Sequence, residues 1–285
     1  MKLKNLIQLS GIRERTKRFT YEMYDFDLGN GTIVHYAQWL HPSESKKSIT
    51  VEAVDAYREI LKEGDFCIDI GAHTGDSTLP LALAVGKSGC VLALEPNPFV
   101  YHVLEKNARA NDEVVNIRTM MAAAATTEGF LEFEYSDSGY CNGGRHEGIS
   151  VLRHGHAFKL EVFCVDMEKE LRENFSDLLP RLKFIKVDTE GYDLYVLRSL
   201  VNIIETYRPV VKAEVYKKTD RKYRREFLSL FQNLDYSVYK IVGEPTTPGP
   251  RLTEENLDEW KHYDVLCFPT DAIADDSPGD AASSQ

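Results

Sequence analysis

Long apolar runs are missing from these 285 residues. None approaches the ~20 residues that a membrane-crossing helix needs, so no membrane span is expected. The basic start, Met1 to Ser10, carries an apolar stretch too short and too interrupted for a secretory leader. Positive charge is also scarce: 34 Lys and Arg face 45 Asp and Glu, for a net charge of −11. A broad nucleic-acid-binding face needs clustered Lys and Arg, so no nucleic-acid partner is expected. Cysteine is sparse, with five residues, and none stands in C-x-x-C or at zinc-ligand spacing with histidine. Such an odd, scattered set fits a reducing cytoplasm. Cys67, Cys90, Cys164 and Cys267 lie in apolar strand-like runs, whereas Cys141 lies in a polar, glycine-rich loop. No internal repeat is visible, and no feature specifies an oligomer. The balance of 43% hydrophobic and 28% charged residues is that of an ordinary globular chain.

A dinucleotide fingerprint, G-x-G-x-x-G, is absent too, and that absence sharpens what is present. Phe66-Cys67-Ile68 is a buried-strand pattern that runs into Asp69-Ile70-Gly71-Ala72-His73-Thr74-Gly75 and then a helical pattern. Strand, glycine turn and helix form the entry to a nucleotide-type cofactor site on an open α/β sheet. A pyrophosphate binder needs backbone amides free to approach the phosphates. Here the glycines stand as G-x-x-x-G, and an acid, Asp69, sits at the strand end, where it would repel a pyrophosphate. It suits a cofactor with a cationic amino group and a sulfonium, as in S-adenosylmethionine.

The rest of the chain alternates in the manner of a parallel sheet with helical crossovers. Tyr21 to His35 reads as a hairpin turning at Gly29-Asn30-Gly31. Residues 50–61 read as an amphipathic helix capped by Thr50. Strands follow at 90–95 and 116–122, with helices at 75–85 and 98–110. After strand-like stretches at 129–135 and 159–165, the pattern restarts with a strand at 182–187. A helix at 191–204, a strand at 209–215, a helix at 220–234 and a last strand pair at 236–242 and 265–268 complete it. The expected organisation is an N-terminal extension over 1–49 (helix and hairpin, packed on the core), a Rossmann-like α/β domain over 50–270 with an inserted loop at 136–158, and a disordered tail over 271–285. The segment 243–251, rich in proline and glycine, is expected to be a long loop.

Two further acids end strands at the crevice where such sheets bind ligands. Glu95 lies about where an acid ~20 residues beyond the glycine turn accepts both ribose hydroxyls. The alternative for Glu95 is a helix cap through Asn97 and Phe99. Asp188 closes Phe184-Ile185-Lys186-Val187, with Glu190 and Asp193 just beyond. The alternative there is capping of the following helix, whose dipole favours acids in its first turn.

Asp-Ile-Gly-Ala-His-Thr-Gly at 69–75, Glu-Pro-Asn-Pro at 95–98 and Ile-Lys-Val-Asp-Thr-Glu-Gly-Tyr-Asp at 185–193 together resemble the FkbM-type S-adenosylmethionine-dependent methyltransferases. The resemblance spans roughly residues 60–216. It implies a class I methyltransferase fold of seven strands, mostly parallel with an antiparallel last strand, and O-methylation of a hydroxyl on a sugar or natural-product-like small molecule. It implies contacts to the cofactor from Asp69, Gly71, Gly75 and Glu95 and an active-site role for Asp188; His73, Thr78, Asn97, Met121, Ala122 and Asp188 itself are the further candidates for cofactor contact. His73 departs from the family, which more often carries Asn there. The adenine-side stretch Thr119 to Ala124 offers no side-chain acid.

A hydroxyl nucleophile loses a proton during methyl transfer, so a nearby base helps. The candidates are Asp188, then His73 and His146. Asp188, Glu190 and Glu214 could supply oxygen ligands to a divalent metal, but their spacing matches no metal motif, and none is expected. The competing functions are an NAD-linked oxidoreductase on a related sheet and a non-catalytic binding module.

Overall fold

Five residues at 66–70 and five at 90–94 are buried on both faces, the mark of strands that lie inside a parallel sheet between layers of helices. The computed structural model describes residues 15–29, 31–141, 143–144 and 158–272. It opens with a hairpin of β1 (Tyr21–Asp27) and β2 (Ile33–Trp39), then α1 (Val51–Arg58), β3 (Phe66–Ile70), α2 (Thr78–Val85), β4 (Cys90–Leu94), α3 (Pro98–Ala110) and β5 (Ile117–Met120). The middle holds β6 (Ala123–Ala125), β7 (Gly129–Tyr135), β8 (Gly143–Gly144), β9 (Phe158–Asp166) and α4 (Met167–Asn174). The last part comprises β10 (Leu182–Val187), α5 (Asp193–Ser199), α6 (Val201–Tyr207), β11 (Val210–Val215), α7 (Arg221–Asn233), β12 (Tyr236–Ile241), β13 (Pro248–Arg251) and β14 (Tyr263–Pro269).

The central sheet has eight strands in the order β13-β12-β14-β11-β10-β3-β4-β5. Strands β11, β10, β3, β4 and β5 run parallel, and β14, β12 and β13 join antiparallel. The order reverses between β3 and β10, which opens a crevice at their carboxyl ends. The fold is thus the α/β class I arrangement, with one strand more than the seven expected. The extra strand, β13, lies inside the segment expected to be a loop. Its two prolines are tolerated because it is the outer edge, where a missing N–H breaks no ladder.

Strand alternation divides the core. Phe66, Ile68, Ile70, Ile185 and Val187 face α4 to α7, whereas Cys67 and Phe184 face α1 and α2. Each fully buried side chain of this size contributes ~1.5–3 kcal/mol. The helix expected at 191–204 is two short ones, α5 and α6, that meet at Leu200. Thr50 caps α1 as expected, since Ala53 N–H donates to its Oγ1 at 3.2 Å.

Strands β6, β9, β7 and β8 form a separate four-stranded sheet in that order. Gly143 and Gly144, expected in a loop, pair with Glu134 and Tyr135. The hairpin docks through two amides one turn apart, Asn107 in α3 and Asn111 at its C-cap. Asn107 Oδ1 accepts from Ala37 N–H at 2.5 Å, and Asn111 Oδ1 from His35 N–H at 2.9 Å. Their Nδ2 groups return bonds to the Ala37 and His35 carbonyls, which satisfies the edge of β2 as another strand would. All five cysteines are buried thiols. Cys141 packs with Ala37, Trp39, Val100 and Val103 instead of facing water. Among the described residues no helix is long and apolar enough to cross a membrane.

Candidate functional site

At the strand carboxyl ends the turn from β3 into α2 places three residues in the left-handed region: Gly71 at φ +81°, His73 at φ +50° and Gly75 at φ +89°. Side chains other than glycine and asparagine enter this region at some strain. The turn closes with Gly75 N–H donating to the Ala72 carbonyl at 2.8 Å. It borders a cleft of about 490 Å3, within the range of small-molecule sites. Gly71, His73, Glu95, Asn97, Ala122 and Asp188 line that cleft, as do Lys186, Glu190, Tyr135 and Tyr140.

Four residues expected to touch a cofactor do not line it. Asp69 is fully buried behind the cleft wall. In β3 it shares the face of Cys67, turned toward the start of α2. Ser77 and Thr78 hydroxyls donate to its Oδ2 at 3.0 and 2.7 Å, and Lys186 Nζ lies 3.1 Å from its Oδ1. Asp69 and Lys186 are register partners on adjacent parallel strands. Thr78 is thus spent on Asp69, Gly75 shapes the turn from behind, and Met121 is an exposed residue between β5 and β6. His146 lies outside the described residues.

Glu95 faces the cleft, nearly buried at 7% exposure. Its Oε2 accepts from His73 N–H at 3.0 Å and its Oε1 from Asn97 N–H at 2.8 Å. Burial raises its pKa, against the lowering effect of His73 and the Asn97 bond. The helix cap of α3 is Asn97 itself, whose Oδ1 accepts from Phe99 N–H at 2.9 Å. Asn97 Nδ2 also donates to the Tyr140 carbonyl at 2.6 Å, and Phe99 stacks on Tyr140 at 4.5 Å, which fixes the aromatic wall. A carboxylate pinned by two backbone donors keeps lone pairs for neighbouring hydroxyls on a ligand.

Asp188 is half-exposed at the end of β10. Its N–H donates to the Ile70 carbonyl at 3.0 Å, and Lys186 Nζ lies 3.5 Å from its Oδ2. Lys186 is therefore a buried ammonium between two carboxylates. Sequence reasoning missed this role, although a lysine set between Ile185 and Val187 in an apolar strand is a visible signal. Burial would lower its pKa, but Asp69 and then Asp188 outweigh burial and raise it. Behind Asp188, Asp193 accepts from Gly191 N–H at 3.1 Å and Thr189 N–H at 3.3 Å. Among the described residues, no three His, Cys, Asp or Glu side chains are placed to hold a metal ion.

Glu214, on β11, is 8% exposed, and its Oε2 has no hydrogen-bond partner. Burial, then the Asp193, Asp188 and Glu190 charges, push its pKa up to about 10. A carboxyl whose folded pKa is raised retains a proton that the unfolded chain releases above about 4.5. Stability should therefore fall as pH rises between those values, by up to ~1.4 kcal/mol per pH unit from this group. Glu214→Gln is expected to flatten that slope and to match or exceed wild-type stability at pH 8. Urea unfolding across about pH 5 to 9 measures it; an unchanged slope would place the proton elsewhere.

A sequence profile of the Methyltransferase FkbM domain matches residues 69–239. The methyltransferase sdnD of Sordaria araneosa is 26% identical over 199 residues, covering 56% of this chain and 76% of the relative. The solved FkbM methyltransferase of Methylobacillus flagellatus KT shares 15% identity at a TM-score of 0.45. That alignment covers 74% of this chain but 47% of the other, so the chain spans about half that protein's length. An S-adenosylmethionine-dependent O-methyltransferase from Thermotoga maritima aligns at 14% identity and a TM-score of 0.42, covering 87% of this chain and 77% of its own. The profile spans more than half of the sequence, from the glycine turn to the antiparallel strands, and the chain belongs to the FkbM methyltransferase family.

Proposed function

We propose that this methyltransferase uses S-adenosylmethionine and transfers its methyl group to a hydroxyl of a small-molecule acceptor. The observation that carries the reading is the meeting of Gly71, Glu95 and Asp188, from the ends of three different strands, on one cleft. The donor set fits the cofactor. Glu95, pinned by two backbone amides, suits the two ribose hydroxyls. Ala122, Ala123 and Ala124 supply a small, apolar wall and backbone groups beside an adenine. The G-x-x-x-G turn and His73 border the methionyl end. The bound cofactor supplies a methyl group already activated by its sulfonium.

The chain's own contribution is alignment and proton removal. Holding acceptor and donor in line is a proximity effect that supplies much of the rate. Asp188, partly open to the cleft and oriented by Lys186, is the base for the acceptor hydroxyl. His73 is the weaker candidate, because its ring sits edge-on to Trp39 at 5.8 Å, against the hairpin. The aromatic wall of Tyr135 and Tyr140 suits an acceptor with an apolar face.

Calorimetry with S-adenosylhomocysteine tests the reading. Glu95→Ala is expected to weaken binding ~100-fold or more, since hydrogen bonds to a charged group are worth ~1.5–3 kcal/mol each. No binding to the wild-type protein, or equal binding to the variant, would overturn it.

A further inference from the structure

Residues 43–47 lie upstream of the matched family region, yet Ser43, Glu44, Ser45 and Lys47 line the cleft beside His73 and Asp76. The Glu44 side chain is only 4% exposed, and its Oε1 is buried with no hydrogen-bond partner. Lys47 Nζ lies 3.4 Å from that Oε1 and 2.9 Å from Asp76 Oδ2, nearer to the second carboxylate. On the other side, His73 Nε2 is 3.9 Å from Glu44 Oε2. Two carboxylates thus share one ammonium at this end of the cleft. A buried carboxylate oxygen without a donor is expensive. The arrangement calls for a cation that brings its own N–H groups.

The segment is built to hold that position. Glu44 N–H donates to the His41 carbonyl at 2.9 Å, Ser43 N–H to His41 Nδ1 at 3.0 Å and Lys47 N–H to Gln38 Oε1 at 2.8 Å. His41, itself buried, is tied to Asp137 at 3.1 Å and wedged between Phe19 and Trp39. These bonds and ring contacts tie the loop to the hairpin, which favours a pre-organised site.

We infer that Glu44 receives the α-ammonium of the cofactor's methionyl group, with Lys47 facing the α-carboxylate. This rests on the S-adenosylmethionine reading above. It gives the N-terminal extension a direct part in the site. It also supplies the carboxylate that Asp69, already bonded to Ser77, Thr78 and Lys186, does not present. An i,i+3 pair of one acid and one base is the complement of an amino-acid zwitterion.

The test compares two ligands that differ only at that end. S-adenosylhomocysteine carries the amino-acid group, and 5′-methylthioadenosine lacks it. Calorimetry on the full chain is expected to show Glu44→Gln weakening S-adenosylhomocysteine ~10- to 100-fold. Affinity for 5′-methylthioadenosine should stay within about twofold, and Glu44→Asp should recover part of the loss. An unchanged affinity for both, or an equal drop for both, overturns the role of Glu44 while leaving the cofactor assignment standing. A wild-type protein that binds neither ligand overturns the cofactor assignment and this inference with it. Thermal unfolding of each variant separates misfolding from a binding loss.

Discussion

Gly71→Ala is expected to destabilise the fold more than any other single substitution at the glycine turn. A Cβ at this position would stand 1.9 Å from the Asp188 carbonyl oxygen and 2.9 Å from its carbon, and both are backbone atoms. Neither can swing aside, because β10 is fixed to β3 along its register and Asp188 N–H bonds the Ile70 carbonyl. The φ of +81° adds ~1–2 kcal/mol for any L side chain. Together these place the loss beyond ~4 kcal/mol, the range of buried clashes and special backbone positions. That corresponds to a fall in Tm of about 8 °C or more. Gly75→Ala is the control. Its φ is similar, at +89°, but its Cβ would approach closely no more than the tip of Leu104, at 3.0 Å, with Thr78 at an ordinary 3.8 Å. It should lose about 1–2 kcal/mol from backbone conformation alone. Thermal and urea unfolding of the pair decide the point, and near-equal effects would show that the approach of Gly71 to Asp188 is not what requires glycine.

Lys186→Met should destabilise the fold by ~3–5 kcal/mol, the usual effect of stripping one partner from a buried ion pair. Asp69 would remain fully buried with only the Ser77 and Thr78 hydroxyls for company. The pKa of Lys186 is raised in the fold, so the pair's contribution is complete below the unfolded lysine value of about 10.5 and is lost only above it. The deficit should therefore be constant between about pH 6 and 9. Combining Lys186→Met with Asp69→Asn removes both charges and keeps Asp69's shape. The double variant should regain most of the stability, as judged by a double-mutant cycle. It should not regain activity, because Asp188 also loses the ammonium that orients it. A double variant as unstable as the single one would argue that Lys186 acts through packing.

Much of the site was legible in the chain because three signals are local. An apolar run followed by Asp69 to Gly75 specifies a strand, a turn and a helix. Glu95 and Asp188 each end such a run, and strand ends in this class of sheet share one edge. The order of these motifs was enough to name the family. Side-chain direction was not legible in the same way. Asp69, one residue before the strand end, faces α2 because alternation puts it with Cys67. The same alternation puts Lys186 beside it, but only the β3–β10 register makes them partners. Motif position alone had placed Asp69 against a ligand, where the structure gives it a role inside the sheet.

Sequence by itself determined the fold class, the crevice and the family, because periodicity and strand-end chemistry are encoded within a few neighbouring residues. Tertiary structure decided which acids face the cleft. It sank Asp69 and Thr78, left Met121 at the surface, and carried Glu44 from outside the family region into the wall. It also made an edge strand of Pro248–Arg251 and a second sheet from β6 to β9. These outcomes depend on contacts between residues far apart in the chain, and such contacts form only when the hairpin docks on α3 and β3 pairs with β10.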